Sequence, residues 1–171
     1  NKIAEVEKKL AELNPEFDDV TSPTIDRNVV VGLRLNVEQI TDLRPIRAFK
    51  SLRTLFCSTY FGKQSRLYDL SPLAGLPLTS INCSRTAVAD LAPLKGMQLT
   101  TLTCDRTNVD SLEPLRGMPL EYLSFSETKV AELAPLVGMP LIAATFMSTP
   151  VRDLTPLDDC TTLEGINFHE T

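Results

Sequence analysis

Residues 70–153 read LSPLAGLPLTSINCSRTAVAD (70–90), LAPLKGMQLTTLTCDRTNVDS (91–111), LEPLRGMPLEYLSFSETKVAE (112–132) and LAPLVGMPLIAATFMSTPVRD (133–153), four segments of 21 residues that align without a gap. Leu70, Leu91, Leu112 and Leu133 form one column, continued by Leu154. Pro72, Pro93, Pro114, Pro135 and Pro156 stand two positions later, and Leu73, Leu94, Leu115, Leu136 and Leu157 complete a Leu-x-Pro-Leu signature. Gly75, Gly96, Gly117 and Gly138 keep step, as do Pro77, Pro119 and Pro140, a column that Gln98 interrupts. With Pro45, which follows Leu43 as an earlier copy, nine of the 12 Pro and four of the 7 Gly occupy three fixed phases. Helix and strand breakers at this density otherwise indicate irregular loops; in phase, they are the punctuation of a repeat.

The other half of each unit carries an apolar pattern: Leu78-x-x-Ile81-x-Cys83-x-x-Thr86-x-Val88, then Leu99, Leu102, Cys104, Thr107 and Val109, then Leu120, Leu123, Phe125, Thr128 and Val130. Leu141, Ala144, Phe146, Thr149 and Val151 make a fourth copy. Alternation around Ile81-x-Cys83 predicts a short strand with these side chains inward and Ser80, Asn82 and Ser84 outward. Copies stacked side by side give a parallel sheet. Proline at the start of the return path and the Gly-Met-Pro turn forbid a full helix there, so tight turns or short 3₁₀ pieces are expected.

These residues resemble the leucine-rich repeat, whose Leu-x-x-Leu-x-Leu-x-x-Asn-x-Leu core is matched here with Thr at the Asn position and Cys or Phe at the third apolar one. The Asp-Leu-x-Pro-Leu tail is similar to the short repeats of internalin-like bacterial proteins. The Pro-Leu-x-Gly-Met-Pro-Leu version resembles arrays in large bacterial multi-domain proteins, some with serine/threonine kinase domains. The resemblance implies an α/β leucine-rich repeat solenoid, right-handed, with a concave parallel sheet and convex turns. Its ladder of Asn side chains bonding neighbouring turns would fall here to Thr86, Thr107, Thr128 and Thr149.

Weaker copies extend the array. Val30, Leu33, Leu35, Ile40, Leu43 and Ile46 form a first repeat; Leu52, Leu55, Cys57, Leu67 and Leu70 a second, with about five extra residues around Tyr60 to Arg66; Leu163, Ile166 and Phe168 begin a seventh. Seven strands spaced by about 4.8 Å predict a sheet roughly 30 Å long. Residues 2–13 place Ile3, Val6, Leu10 and Leu13 on one helical face, with Asn14-Pro15 as the stop. That helix is expected to cap the apolar end of the stack. Residues 1–28 thus read as capping helix and linker, and 29–171 as the array, clearest over 70–168. The start at Asn1 and the stop at Thr171, where a repeat's turn begins, lead us to expect a longer natural chain and a C-terminal cap missing from these residues.

Composition bounds the function. The 171 residues are 43% apolar and 23% charged, with no run near the roughly 20 apolar residues of a membrane span. Residues 1–68 carry 11 Lys+Arg against 9 Asp+Glu, and residues 69–171 carry 6 against 13. Neither half offers the dense cationic stripe that nucleic acid or an anionic membrane requires. Cys57, Cys83 and Cys104 share the inward phase, and Cys160 lies in the last return segment. A metal cluster or a disulfide is the alternative to core packing. Phe125, Phe146 and Phe168 in the same phase favour the core, and no CxxC or His partner supports zinc. Reduced thiols fit the cytoplasm. His169 is the single histidine, and Asp105 alone among the acidic residues faces outward from a strand, so neither a nucleophile–base pair nor a carboxylate pair exists; no catalysis, metal or cofactor is expected.

What a partner would touch is the outward side of the strands and the insertion. The candidates are Phe56, Asn82, Thr103, Asp105, Tyr122, Ser124, Thr145 and Met147, with Arg85 and Arg106 just beyond the strands and Tyr60 and Phe61 in the insertion. Most of this face is small and hydroxylated, with Phe56, Tyr122 and Met147 as its large residues. The expected function is a protein-interaction module presenting this sheet to a protein or peptide. The alternatives are a non-catalytic regulatory or sensor region of a larger bacterial enzyme such as a serine/threonine kinase, or a structural spacer.

Overall fold

The computed structural model describes residues 2–17, 21–59 and 63–168. Its spine is one eight-stranded sheet in chain order: β1 (Ser22–Asp26), β2 (Val29–Asn36), β3 (Thr54–Ser58), β4 (Ser80–Asn82), β5 (Thr101–Thr103), β6 (Tyr122–Ser124), β7 (Ala143–Thr145) and β8 (Gly165–Asn167). From β2 onward every pairing is parallel and in phase, so Leu33, Leu55, Ile81, Leu102, Leu123, Ala144 and Ile166 stand side by side. These are the seven repeat strands expected from the sequence, and the architecture is a leucine-rich repeat solenoid.

Each strand from β2 to β7 returns through a 3₁₀ turn, at Arg44–Ala48, Ser71–Leu73, Ala92–Leu94, Glu113–Leu115, Ala134–Leu136 and Thr155–Leu157. The phased proline sits in the first two positions of all six, where its missing N–H has no partner to lose. Three positions before the proline, in five of the six turns, a side chain prepares the turn. The carboxylates of Asp42, Asp69, Asp90 and Asp153 accept the N–H two residues on, at 2.9, 2.7, 2.7 and 3.0 Å, and the Ser111 hydroxyl does so for Glu113 at 3.2 Å. Gly75, Gly96, Gly117 and Gly138 follow with φ between 69° and 76°, a region that a Cβ disfavours.

The inward leucines, isoleucines and valines of the repeats, with Met97, Met118 and Met139, form one buried cluster that runs the length of the stack. Cys57, Cys83 and Cys104 lie fully buried in the inward phase and all four cysteines are free thiols. Phe125, Phe146 and Phe168 continue that phase as a column of rings, with centroids 5.2 and 5.7 Å apart and planes within 7° and 11° of parallel. The exposed end of the stack begins at β8, where Ile166 and Phe168, in core phases, are 40% and 46% exposed.

The threonine ladder differs from its expected role. Thr86, Thr107, Thr128 and Thr149 donate their hydroxyls to the carbonyls three residues back, of Cys83, Cys104, Phe125 and Phe146, at 2.6–2.8 Å. A hydroxyl one bond from Cβ reaches its own turn, whereas a longer amide is needed to bridge to the next. Backbone groups make the bridges: Arg85, Arg106 and Glu127 donate their N–H to the carbonyls of Asp105, Ser126 and Met147, each at 2.8 Å.

At the N-terminal end, α1 (Lys2–Leu13) buries Val6 and Leu10, with Ile3 packed beside them. Leu13, expected on the buried face, is 41% exposed; the residue that seals the helix is Asn14, only 2% exposed. Its Oδ1 accepts the N–H of Thr41 and Asp42 at 2.8 and 2.9 Å, and its Nδ2 donates to the carbonyls of Leu10 and Asp42 at 2.9 and 3.1 Å. Within the stretch expected to be linker, β1 forms an antiparallel hairpin with β2 through Arg27-Asn28, whose φ values of 46° and 67° suit a tight primed turn. A Cβ on Gly32 would stand 3.0 Å from that of Thr24, so this glycine lets the hairpin close. Pro23 then occupies an edge strand, the place in a sheet where proline is tolerated.

Leu102→Ala is expected to cost about 2–5 kcal/mol in urea unfolding. Ile166→Ala, at the uncovered end, is expected to cost no more than about 1 kcal/mol. Equal losses would mean that the stack does not cover its members unequally.

Stability against pH should have two flanks. Hydrogen bonding to Arg44 and to Thr155 lowers the carboxyls of Asp42 and Asp153 below 3.8, so their contribution is present above that value and is lost as pH falls through the depressed folded pKa. Burial raises the thiols of Cys57 and Cys104 well above 9.0 and pushes Cys83 up to about 12. Their contribution is present below 9.0 and declines above it as the unfolded chain alone ionises, that of Cys83 being lost as pH rises through about 12. Native protein at pH 8 should leave these three thiols unreacted with dithiobis(nitrobenzoate), and urea should release them.

Candidate functional site

Strand alternation turns three rows of side chains away from the core. Register places Gly32, Thr54, Ser80, Thr101, Tyr122, Ala143 and Gly165 in one row, and Arg34, Phe56, Asn82, Thr103, Ser124, Thr145 and Asn167 in the next. In the third, Asn36 pairs with Ser58, and Ser84, Asp105, Ser126 and Met147 follow in the repeat phase. The middle row therefore brings together five of the sequence candidates: Phe56, Asn82, Thr103, Ser124 and Thr145. Tyr122 flanks it on one side, and Asp105 and Met147 on the other. Tyr60, Phe61 and His169 lie outside the described residues.

Hydrogen bonding separates the committed groups from the available ones. Asp105 Oδ1 accepts from the Ser124 hydroxyl at 2.6 Å and the Ser126 N–H at 2.7 Å, so this carboxylate ties β5 to the following repeat. The Ser126 hydroxyl accepts the N–H of Met147 at 3.0 Å, and Asn82 Oδ1 accepts that of Ser84 at 3.0 Å. Arg85 and Arg106 occupy the left-handed region at φ 60° and 56°, in a column that Glu127 and Ser148 continue. The Arg106 guanidinium is held by Glu127 of the next repeat at 2.6 Å. Thr103 and Thr145 stand half-exposed beside Tyr122 and Met147, which are 46% and 38% exposed.

The outward phase of Arg34 and the insertion are legible in the sequence, but the contacts they make are not. Arg34 lies beside Phe56 with its Cζ 4.8 Å from the ring centroid; the shared phase of Gly32-x-Arg34 and Thr54-x-Phe56 is the signal that places them side by side. The insertion after β3 is pinned on both sides. Ser65 donates its hydroxyl to the carbonyl of Val37 and its N–H to that of Arg85 at 2.8 Å, Gln64 reaches the carbonyl of Arg106 at 3.4 Å, and Lys63 pairs with Glu38 at 2.8 Å.

The chemistry of this face is donation and acceptance of hydrogen bonds around a few apolar side chains. Ser124, the hydroxyl held by a carboxylate, has no imidazole beside it among the described residues. Nor do three His, Cys, Asp or Glu side chains converge among them in a way that would hold a metal ion. No helix among them is long and apolar enough to cross a membrane.

The sequence matches no protein-family profile and no curated protein. Among solved structures it is similar to internalin C2 of Listeria monocytogenes, with a TM-score of 0.68 at 23% identity over 75% of this chain and 57% of that one. It is likewise similar to an internalin (inlF) of the same species, with a TM-score of 0.62 at 18% identity over 97% of this chain and 56% of that one. The chain thus spans little more than half the length of these structures, and at such identities the likeness is one of fold.

Asp105→Ala is expected to cost about 1–2 kcal/mol in chemical denaturation, because two donors lose a charged acceptor, while Asp105→Asn keeps most of the stability. An unchanged midpoint for Asp105→Ala would mean that the carboxylate is not structural.

Proposed function

We propose that this chain is a protein-binding module that presents its concave sheet to a protein or peptide partner and performs no catalysis of its own. The observation that carries this reading is the middle row of side chains, held in continuous register from Arg34 to Asn167 by a rigid stack and flanked by exposed Tyr122 and Met147. A preorganised surface loses little conformational entropy on binding, and large aromatic, Met and Arg side chains supply most of the energy at such interfaces. Internalin-like structures with the same fold are consistent with an interaction module.

The test is a pull-down with wild type and with Phe56, Tyr122 and Met147 each replaced by Asp, against a control carrying Lys8→Asp on the outer side of α1. Loss of a bound protein in the three face variants but not in the control supports the reading. Retention of the same partner by all of them would overturn it.

A further inference from the structure

We infer that the Arg34–Phe56 pair receives a carboxylate from an acidic segment of the partner, a step that rests on the concave-face reading above. Arg34 on β2 and Phe56 on β3 are direct neighbours in the sheet, and the guanidinium carbon lies 4.8 Å from the ring centroid. The ring restrains the side chain through a cation–π contact while the N–H donors, which lie in the guanidinium plane, remain able to bond elsewhere. The fork so positioned matches the two oxygens of a carboxylate, and less rotamer entropy is lost when it binds.

Its donors have no partner among the described residues. Arg34 makes no hydrogen bond or ion pair with another described residue, whereas Arg44, Arg106 and Arg116 are paired with Asp42, Glu127 and Glu113. The outward rows hold two charged residues among those described, Arg34 and Asp105, and Asp105 is already occupied by Ser124 and Ser126. Among the described residues, the outward rows therefore present one unpaired positive charge, in their N-terminal third. Ser22 pairs with Arg34 on the outer side, and Asn82 stands beyond Phe56 with its carbonyl oxygen committed to Ser84, which leaves its NH₂ to donate.

Charge selects the occupant. Nucleic acid needs many cations in a row, and the middle row is otherwise neutral in a chain of net charge -5. The same net charge opposes a long acidic tract. What fits is a peptide segment with one or two Asp or Glu residues, its apolar neighbours running along the sheet toward Tyr122 and Met147.

A phage-displayed library of random 12-residue peptides, selected on the wild-type protein, tests this. We expect selected peptides to be enriched in Asp or Glu, and a synthetic copy to bind Arg34→Gln roughly ten- to a hundredfold more weakly, the loss of a charged hydrogen-bonded pair. Replacing the peptide's acid by its amide should give a similar loss, and the two changes together should not add. Arg34→Lys should recover part of the affinity, and melting temperatures confirm that the variants fold. Peptides that lose binding to Tyr122→Asp yet show no acidic preference and bind Arg34→Gln unchanged would overturn the inference and leave the binding face standing. Peptides indifferent to both substitutions, or no enrichment at all, would remove both. Displacement of the peptide by an equimolar 12-residue oligothymidine would overturn the carboxylate in favour of a phosphate.

Discussion

The inner side chains of one repeat have nothing to pack against except their equivalents 21 residues away. Leu102 stands between Ile81 and Leu123, and that arrangement repeats down the sheet. The remaining features of the fold follow from keeping that period. Strand must meet strand at about 4.8 Å with the same side inward, so the return path has a fixed length and a fixed pair of bends. Proline is the second residue of the 3₁₀ turn, an Asp or Ser three positions before it holds the turn's first N–H, and a glycine with positive φ follows. The least replaceable residues in such a chain are therefore the ones that time it.

Cohesion between repeats comes from backbone pairing and apolar contact, with side-chain hydrogen bonds such as those of Asp105 and Ser126 added across neighbouring repeats. The threonines stiffen their own turns. The change from Cys to Phe in the third inward column alters the filling of the stack without altering its path: thiols in the repeats of β3 to β5, stacked rings in those of β6 to β8. Where the ring is Phe146, the neighbouring inward position two residues earlier is Ala144, a small residue beside a large one.

The periodic part of this structure was legible because columns of identical residues state the period directly: Leu-x-Pro-Leu located every 3₁₀ turn, and Ile81-x-Cys83 every strand. What escaped was written once. The β1–β2 hairpin turns on Arg27-Asn28, without the Asn-Gly or Asp-Gly that marks such turns, and its strand contains Pro23. Asn14 looked like a helix stop, since nothing in a linear sequence shows that its amide meets Thr41 and Asp42 on a different repeat. Leu13 lies on the apolar side of a helical wheel, but the helix ends there and the chain turns away, leaving it exposed. Of the candidate face, the rows were legible and the commitments within them were not. Asp105 read as available is bonded within the protein, and Arg34, not singled out, is stacked on Phe56.

A repeat that solves its packing problem the same way each time spends its chemistry inward and at its turns, which leaves the outward rows under little structural constraint. Where those rows depart from small hydroxylated residues, packing supplies no reason for the departure. Asp105, Asn82 and Asn36 are the exceptions, because the carboxylate bonds Ser124 and Ser126 and the two amide oxygens accept the N–H of Ser84 and Glu38. Phe56, Tyr122 and Met147 have no such duty: the sheet is complete without a ring or a thioether on that side. The insertion completes the argument from the edge. Its Lys63, Gln64 and Ser65 tie together the turns of the first, third and fourth repeats, so extra chain is spent holding still the border of the face beside Phe56 and Asn82.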